Sequence, residues 1–140
     1  MFEKILLAVD GSDHALRAAR TAADLARAMN ANQFWIVVAY DFIPPYLGEP
    51  NLQFAIESRT EEAKAILDHA LKEVGSIPCE IQTELIESSE AETIINVATT
   101  QKSDVIVMGS RGHGTLAGLL LGSTSQKVVS HAPCPVLIVR

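Results

Sequence analysis

No stretch of this sequence stays apolar for the roughly 20 residues that a membrane-crossing helix needs; the long apolar runs, such as residues 34–40, are far shorter. Positive charge is in short supply as well. Lys and Arg total 11 against 17 Asp and Glu, a formal net charge of -6, so no cationic face is on hand to neutralise nucleic-acid phosphates or an anionic lipid surface. Neither nucleic acid nor membrane is expected as a partner. The opening residues MFEKILLAVDGS have neither the basic region nor the small-residue cleavage site of an export signal, and the expected location is the cytoplasm. Cysteine is scarce: Cys79 and Cys134 are the two in the chain. Their spacing fits no metal motif, and they read as reduced, buried apolar residues.

What the chain does have is apolar material, 48% of its 140 residues, enough for the core of one domain spanning residues 1–140. Short β-rich runs alternate with segments of helical periodicity, which implies parallel strands joined by crossover helices. The expected fold is α/β: a Rossmann-like, doubly wound, five-stranded parallel sheet with helices on both faces. Strands are predicted at residues 5–9, 34–40, 81–86, 104–108 and 136–139, the third with the alternation of an edge strand. A first helix follows Gly11-Ser12-Asp13, with Ala15, Leu16, Ala19, Ala22, Ala23, Ala26 and Met29 on its buried face. Residues 41–52 hold three of the six prolines and read as a long loop. A helix then runs through Ala63, Ile66, Leu67, Ala70, Leu71 and Val74 to Gly75. Ser89 and Glu92 have capping-box spacing ahead of a shorter helix.

Five of the eight glycines fall between Gly109 and Gly122, after the fourth strand and before a helix that Ser123, three residues ahead of Gln126, is expected to cap. Glycine allows positive φ and close backbone approach, so such a loop can turn several N–H groups toward one anion, and the helix that follows adds its positive end. A phosphate is the natural guest. The chain contains no Gly-Lys pair, which excludes a Walker loop. The Gly112 to Ala117 stretch fits a dinucleotide fingerprint in form, but its acidic ribose ligand would fall in the apolar 136–139 run.

The spacing Gly109, Gly112, Gly122-Ser123 matches G-x2-G-x9-G-[ST] in full. Together with Ala8-Val9-Asp10-Gly11-Ser12 at one end and His131-Ala132-Pro133-Cys134-Pro135-Val136-Leu137-Ile138-Val139 at the other, it resembles the ATP-binding branch of the universal stress protein family, over the whole length. The resemblance implies an ATP-binding regulatory protein of the stress response, with magnesium or manganese beside the phosphates. It implies Ala8 and Asp10 on the ribose side, the backbone near Ala39 at the adenine, and Met108 and Gly109 closing over the nucleoside. Gly112 and Gly122 would give amides to phosphates, and Ser123 and Thr124 would add side-chain and amide contacts. Asp10 would also hold the metal ion. Thr124 departs from the Val common at that place in the family.

Asp10 has a second reading as a cap of the first helix, and Arg111 and His113 read either as phosphate partners or as solvated loop side chains. His14, His69 and His131 read as surface or capping residues. No residue is assigned a catalytic role, and slow ATP hydrolysis or a nucleotide-independent dimeric scaffold are the alternatives to a binding module. The strand at Val136 to Val139 ends the sheet with few edge protections. It is expected to pair with a second copy in a homodimer, as the resemblance also implies, and a further protein partner of unknown kind is expected to read the bound state.

Overall fold

Strand β1 (Lys4–Val9) is buried at every position from Ile5 onward, so both faces of its sheet have to be covered. The computed structural model, which describes residues 1–40, 45–110 and 121–140, meets that demand with two helices on each face. β1 is followed by α1 (Asp13–Met29), β2 (Gln33–Tyr40), α2 (Asn51–Val74) and β3 (Ile81–Glu87). Then come α3 (Glu90–Gln101), β4 (Val105–Gly109), α4 (Ser123–His131) and β5 (Val136–Val139). The strands pair in parallel in the order β3-β2-β1-β4-β5, with Leu7 of β1 opposite Ile36 on one side and Val107 on the other. The fold is the expected Rossmann-like α/β architecture, and β3 is at an edge as its alternation predicts.

Period-two alternation divides the core. Ile5, Leu7, Val9, Ile36 and Val38 point to one face, where α1 and α2 cover them with Ala15, Ala19, Ala22, Ala63, Ala70 and Val74. Leu6, Ala8, Val37, Ile106 and Met108 point to the other, under Ile94, Val97 and Ala98 of α3 and Val128 of α4. Each fully buried Leu, Ile or Phe stabilises the fold by about 1.5–3 kcal/mol, and the alanine face of α1 lets that helix lie close to β1 and β4. The predicted face of α1 needs three corrections. Ala18 is buried, Leu16 is only half-buried, and Met29 is 36% exposed; past the left-handed Asn30, Ala31 takes the buried place at that end.

Four further sequence expectations change. The loop predicted through residue 52 is shorter, because α2 begins at Asn51 after a 3-10 turn at Pro45–Leu47. Its first three turns leave Phe54 and Ile56 exposed, so they carry no buried stripe for periodicity to find. Ser123 does not cap α4. Gly122 holds that position and no side-chain bond closes the turn, while Gln126 Nε2 donates to the Leu121 carbonyl at 3.1 Å. Ser89 does occupy the N-cap of α3, but without the side-chain bond a capping box requires. Cys79 and Cys134 are free and half-buried rather than fully buried. Burial pushes both thiols up, and nearby Asp104 adds to the rise at Cys134. Among the described residues no helix is long and apolar enough to cross a membrane.

Candidate functional site

The strand order reverses between β1 and β4, so the helices that follow them, α1 and α4, lie on opposite faces of the sheet and leave a crevice at its C-terminal edge. A cleft of about 890 Å³ opens there. Its floor is set by the residue after β1. Asp10 Oδ1 accepts the Ser12 N–H at 2.9 Å, and Ser12 Oγ accepts the Ala15 N–H at 3.2 Å. The two readings of Asp10 are thereby separated: Ser12 is the cap of α1, and Asp10 stabilises the turn ahead of it. That turn needs Gly11, whose φ is 86°. Among the described residues Asp10 Oδ2 has no partner, and Asp10 lines the cleft.

The opposite wall starts where β4 ends. Ser110 is buried, and each of its polar groups is used: its N–H donates to the Val139 carbonyl at 2.7 Å, its carbonyl accepts from Gly122 N–H at 2.8 Å, and its Oγ meets His14 Nδ1 at 2.8 Å. Ser125 Oγ spans the same corner, donating to the carbonyls of Gly109 and Ser110 at 3.0 and 3.2 Å. These bonds fix the start of α4 against the end of β4. Gly122, buried, brings the chain in with φ -72° and ψ 168°, and the N–H groups of Ser123, Thr124 and Ser125 open the helix without a side-chain cap. They form the positive end of a helix dipole at the cleft.

Ala8, Asp10, Ala39, Met108, Gly109, Gly122, Ser123 and Thr124 all line this cleft. Ala8 and Met108 are buried on the α3–α4 side, and Ser123 is exposed. Arg111, Gly112 and His113 lie outside the described residues, as do residues 41–44 of the predicted loop. The cleft also has walls that the sequence reading missed: Arg59, Glu62 and His69 of α2, Ser89 and Glu90 at the start of α3, and Lys127 one turn into α4. Glu90 Oε2 accepts from Thr124 Oγ1 at 3.2 Å. His14 is half-buried against Ser110 rather than on the surface, whereas His131 is exposed, with Nδ1 3.0 Å from the Lys127 carbonyl. Among the described residues no three His, Cys, Asp or Glu side chains are grouped to hold a metal ion.

A five-stranded parallel sheet with two helices on each face and a cleft at the reversal of its strand order puts the chain in the class of doubly wound α/β proteins. The family is narrower. The model of the universal stress protein family matches residues 1–140, and the chain belongs to that family. It is 48% identical to a universal stress protein of Thermus aquaticus over 140 residues, covering both chains in full. Among solved structures it is similar to the universal stress protein UspA from Lactobacillus plantarum, with a TM-score of 0.86 and 30% identity over 99% of this chain and 98% of that one. It is similar also to a universal stress protein solved in complex with cAMP, with a TM-score of 0.67 and 30% identity over 99% and 97% of the two chains.

Proposed function

We propose that this chain binds an adenine nucleotide in the cleft and that occupancy of the cleft is the state a protein partner reads. The observation that carries this reading is the uncapped start of α4 lining the same cleft as Asp10, at the reversal of strand order. The relative solved with cAMP supports the adenine class. In this reading Ala8, Ala39 and Met108 line the nucleoside, and Gly109, Gly112 and Gly122 allow close backbone approach. Ser123 and Thr124 offer donors to phosphate, with Arg111 and His113 beside them. ATP is the proposed ligand, taken with magnesium or manganese, and Asp10 Oδ2 is the proposed protein ligand of the ion. The ion supplies charge neutralisation between that carboxylate and the phosphates.

Calorimetric titration with ATP, AMP and cyclic AMP in magnesium buffer tests the reading. Saturable binding of at least one of them is expected. It should be lost in Gly122→Val, whose side chain would fill a buried position at the mouth of α4, while the far-UV spectrum is kept. No binding of any adenine nucleotide to the wild type overturns the reading.

A second observation favours a homodimer. Among the described residues β5 is the last strand on one side of the sheet, with an edge of Val136, Leu137, Ile138 and Val139, of which Leu137 is 38% exposed and the others half-buried. An apolar edge of this kind is a template for another strand, and a second copy supplies an identical one. We take the working protein to be a cytoplasmic dimer, each copy a single domain.

A further inference from the structure

The body of the protein covers only part of α2. Ala63 is the first of its residues to be buried, and no position from Asn51 to Glu62 is, so about 18 Å of helix stands clear of the core. Exposed apolar side chains gather there. Among the described residues eight large ones are exposed, and four of them, Tyr46, Leu47, Phe54 and Ile56, fall within residues 46–56, whereas the others are spread along the chain. Tyr46 is 86% and Phe54 63% exposed. A concentration of apolar side chains in water with two aromatic rings among them marks a contact surface.

The charge around the rings decides what fits them. Phe54, Glu57 and Glu61 recur at i, i+3 and i+7 and so share one face of α2, turned away from the Ala63 and Ala70 side that packs on the sheet. The 3-10 turn at Pro45–Leu47 packs against α2 and brings Tyr46 and Leu47, with Glu49 close behind. Gln53 Nε2 donates to Glu57 Oε1 at 3.2 Å, which steadies that carboxylate without neutralising it. Glu49, Glu57 and Glu61 are exposed and make no ion pair among the described residues. Arg59, the single cation of residues 46–62, lines the cleft instead, and Lys64 and Asp68 continue the outer face with opposite charges.

We propose that this surface is a docking site for a cationic amphipathic segment of a partner protein, with apolar side chains against Tyr46, Leu47 and Phe54 and Lys or Arg against the three carboxylates. A second copy of the chain fits poorly: a two-fold contact here would set carboxylates against carboxylates, in a chain already at a net charge of -6. An anionic membrane or a nucleic acid would meet the same repulsion. Arg59 and Glu62 of the same turns line the cleft, so a partner docked here touches the helix that walls it. That partner's role as the reader of the cleft rests on the adenine-nucleotide reading; the docking surface does not.

The test uses the nucleotide-free full chain and a fluorescein-labelled helical peptide of about 14 residues, long enough to lie along the exposed half of α2, with Leu and Trp on one face and Lys on the other. Anisotropy titration should give saturable one-to-one binding, and hydrogen exchange should slow within residues 46–61. Tyr46→Ser with Phe54→Ser should weaken the peptide by at least about tenfold. Glu57→Gln with Glu61→Gln should weaken it by about fivefold, a difference that fades in about 1 M salt, where the Debye length is about 3 Å. All four positions are exposed, so these variants should melt with the wild type. Glu80→Gln with Glu92→Gln removes the same charge from exposed positions elsewhere and should leave the affinity within about twofold.

No binding to the wild type overturns the proposal, and so does full affinity in the serine variant. An equal loss from the two pairs of glutamines also overturns it, because the attraction would then belong to the whole chain. A serine variant that scatters as a smaller species than the wild type would give the surface to a second copy, and Phe54-dependent binding to phosphatidylserine vesicles would give it to a membrane; either result overturns the choice of partner. Failure of ATP, AMP and cyclic AMP to bind leaves these outcomes untouched, so the surface and the site reading fall separately.

Discussion

Ser110 and His14, 96 positions apart, meet at 2.8 Å between Oγ and Nδ1 and tie the end of β4 to the first turn of α1. Gly109 beside them has no room to spare. A Cβ built on Gly109 would lie 2.8 Å from His14 Cβ, 3.0 Å from the His14 carbonyl carbon and 3.1 Å from Ala15 N. Two of those atoms are backbone, so α1 itself would have to move. The contact fixes the relative position of Asp10, which precedes α1, and of Ser110, which follows β4.

Gly109→Ala is expected to destabilise the protein by about 1–3 kcal/mol through overpacking. Ser110→Ala should cost about 1 kcal/mol by leaving its partners short of one bond. Urea unfolding of the two variants measures both. Equal midpoints for Gly109→Ala and wild type would mean that α1 yields freely at its first turn.

Ser12 and Asp10 should separate cleanly by mutation. Ser12→Ala removes the cap of α1 and should cost about 1 kcal/mol of stability with little effect on ligand. Asp10→Ala loses one turn-stabilising bond to the Ser12 N–H and should instead weaken nucleotide binding more in magnesium than in EDTA. Thermal melts read the first effect and paired titrations the second. A loss of affinity that is the same in both buffers would leave Asp10 as a turn residue alone.

Pairing through β5 predicts a dimer by light scattering and its dissociation by Val136→Lys with Ile138→Lys, which set like charges against each other across a two-fold axis. The monomer so produced should keep its far-UV spectrum, because both side chains are partly exposed already. A dimer that tolerates both lysines would move the interface elsewhere on the chain.

On the acid side, Arg20 Nε donates to Glu73, joining α1 to α2. This hydrogen bond, reinforced by the guanidinium charge, holds the Glu73 carboxyl below its usual range against a smaller opposing effect of burial. Since the folded value lies below the unfolded one, the pair stabilises the fold at neutral pH. That contribution fades as pH falls from about 4.3 through the lowered value. The pair is exposed, so the effect is small. Glu73→Gln should melt slightly below wild type at pH 7 and level with it near pH 3; a gap of the same size at both pH values would assign the loss to packing.

Four of the strands were legible because continuous apolar runs of four to eight residues leave few other options, and β3 through its alternation; β5 has the bounds its sequence predicts. The glycine-rich segment stood out because five glycines fall in 14 positions, and its two described ends, Gly109 and Gly122, line the cleft. Helix starts were harder. Gly122 and Ser123 are both acceptable caps, and what decides between them is a bond from Gly122 N–H to Ser110, a contact that local spacing does not encode. The α2 side of the cleft was invisible: Arg59, Glu62 and His69 reach it through the packing of α2 on β2 and β1, and the first half of α2 has no buried stripe. The Glu90–Thr124 bond spans 34 residues and leaves no periodic trace.

A parallel sheet gives the molecule two unlike poles. Every strand ends, and every helix begins, at the pole that holds the cleft, and β5 delivers the last residue there too: Arg17 Nε donates to the Arg140 carbonyl at 2.7 Å, beside the first turns of α1. The first residues are anchored at the far pole, where Asp104 accepts from the N–H groups of Glu3 and Lys4 at 3.1 and 2.9 Å. A purification tag or fluorophore appended after Arg140 would therefore crowd the cleft mouth and the β5 edge together. One placed ahead of Met1 reports on the protein from the opposite end, and is the attachment to choose for immobilised binding measurements.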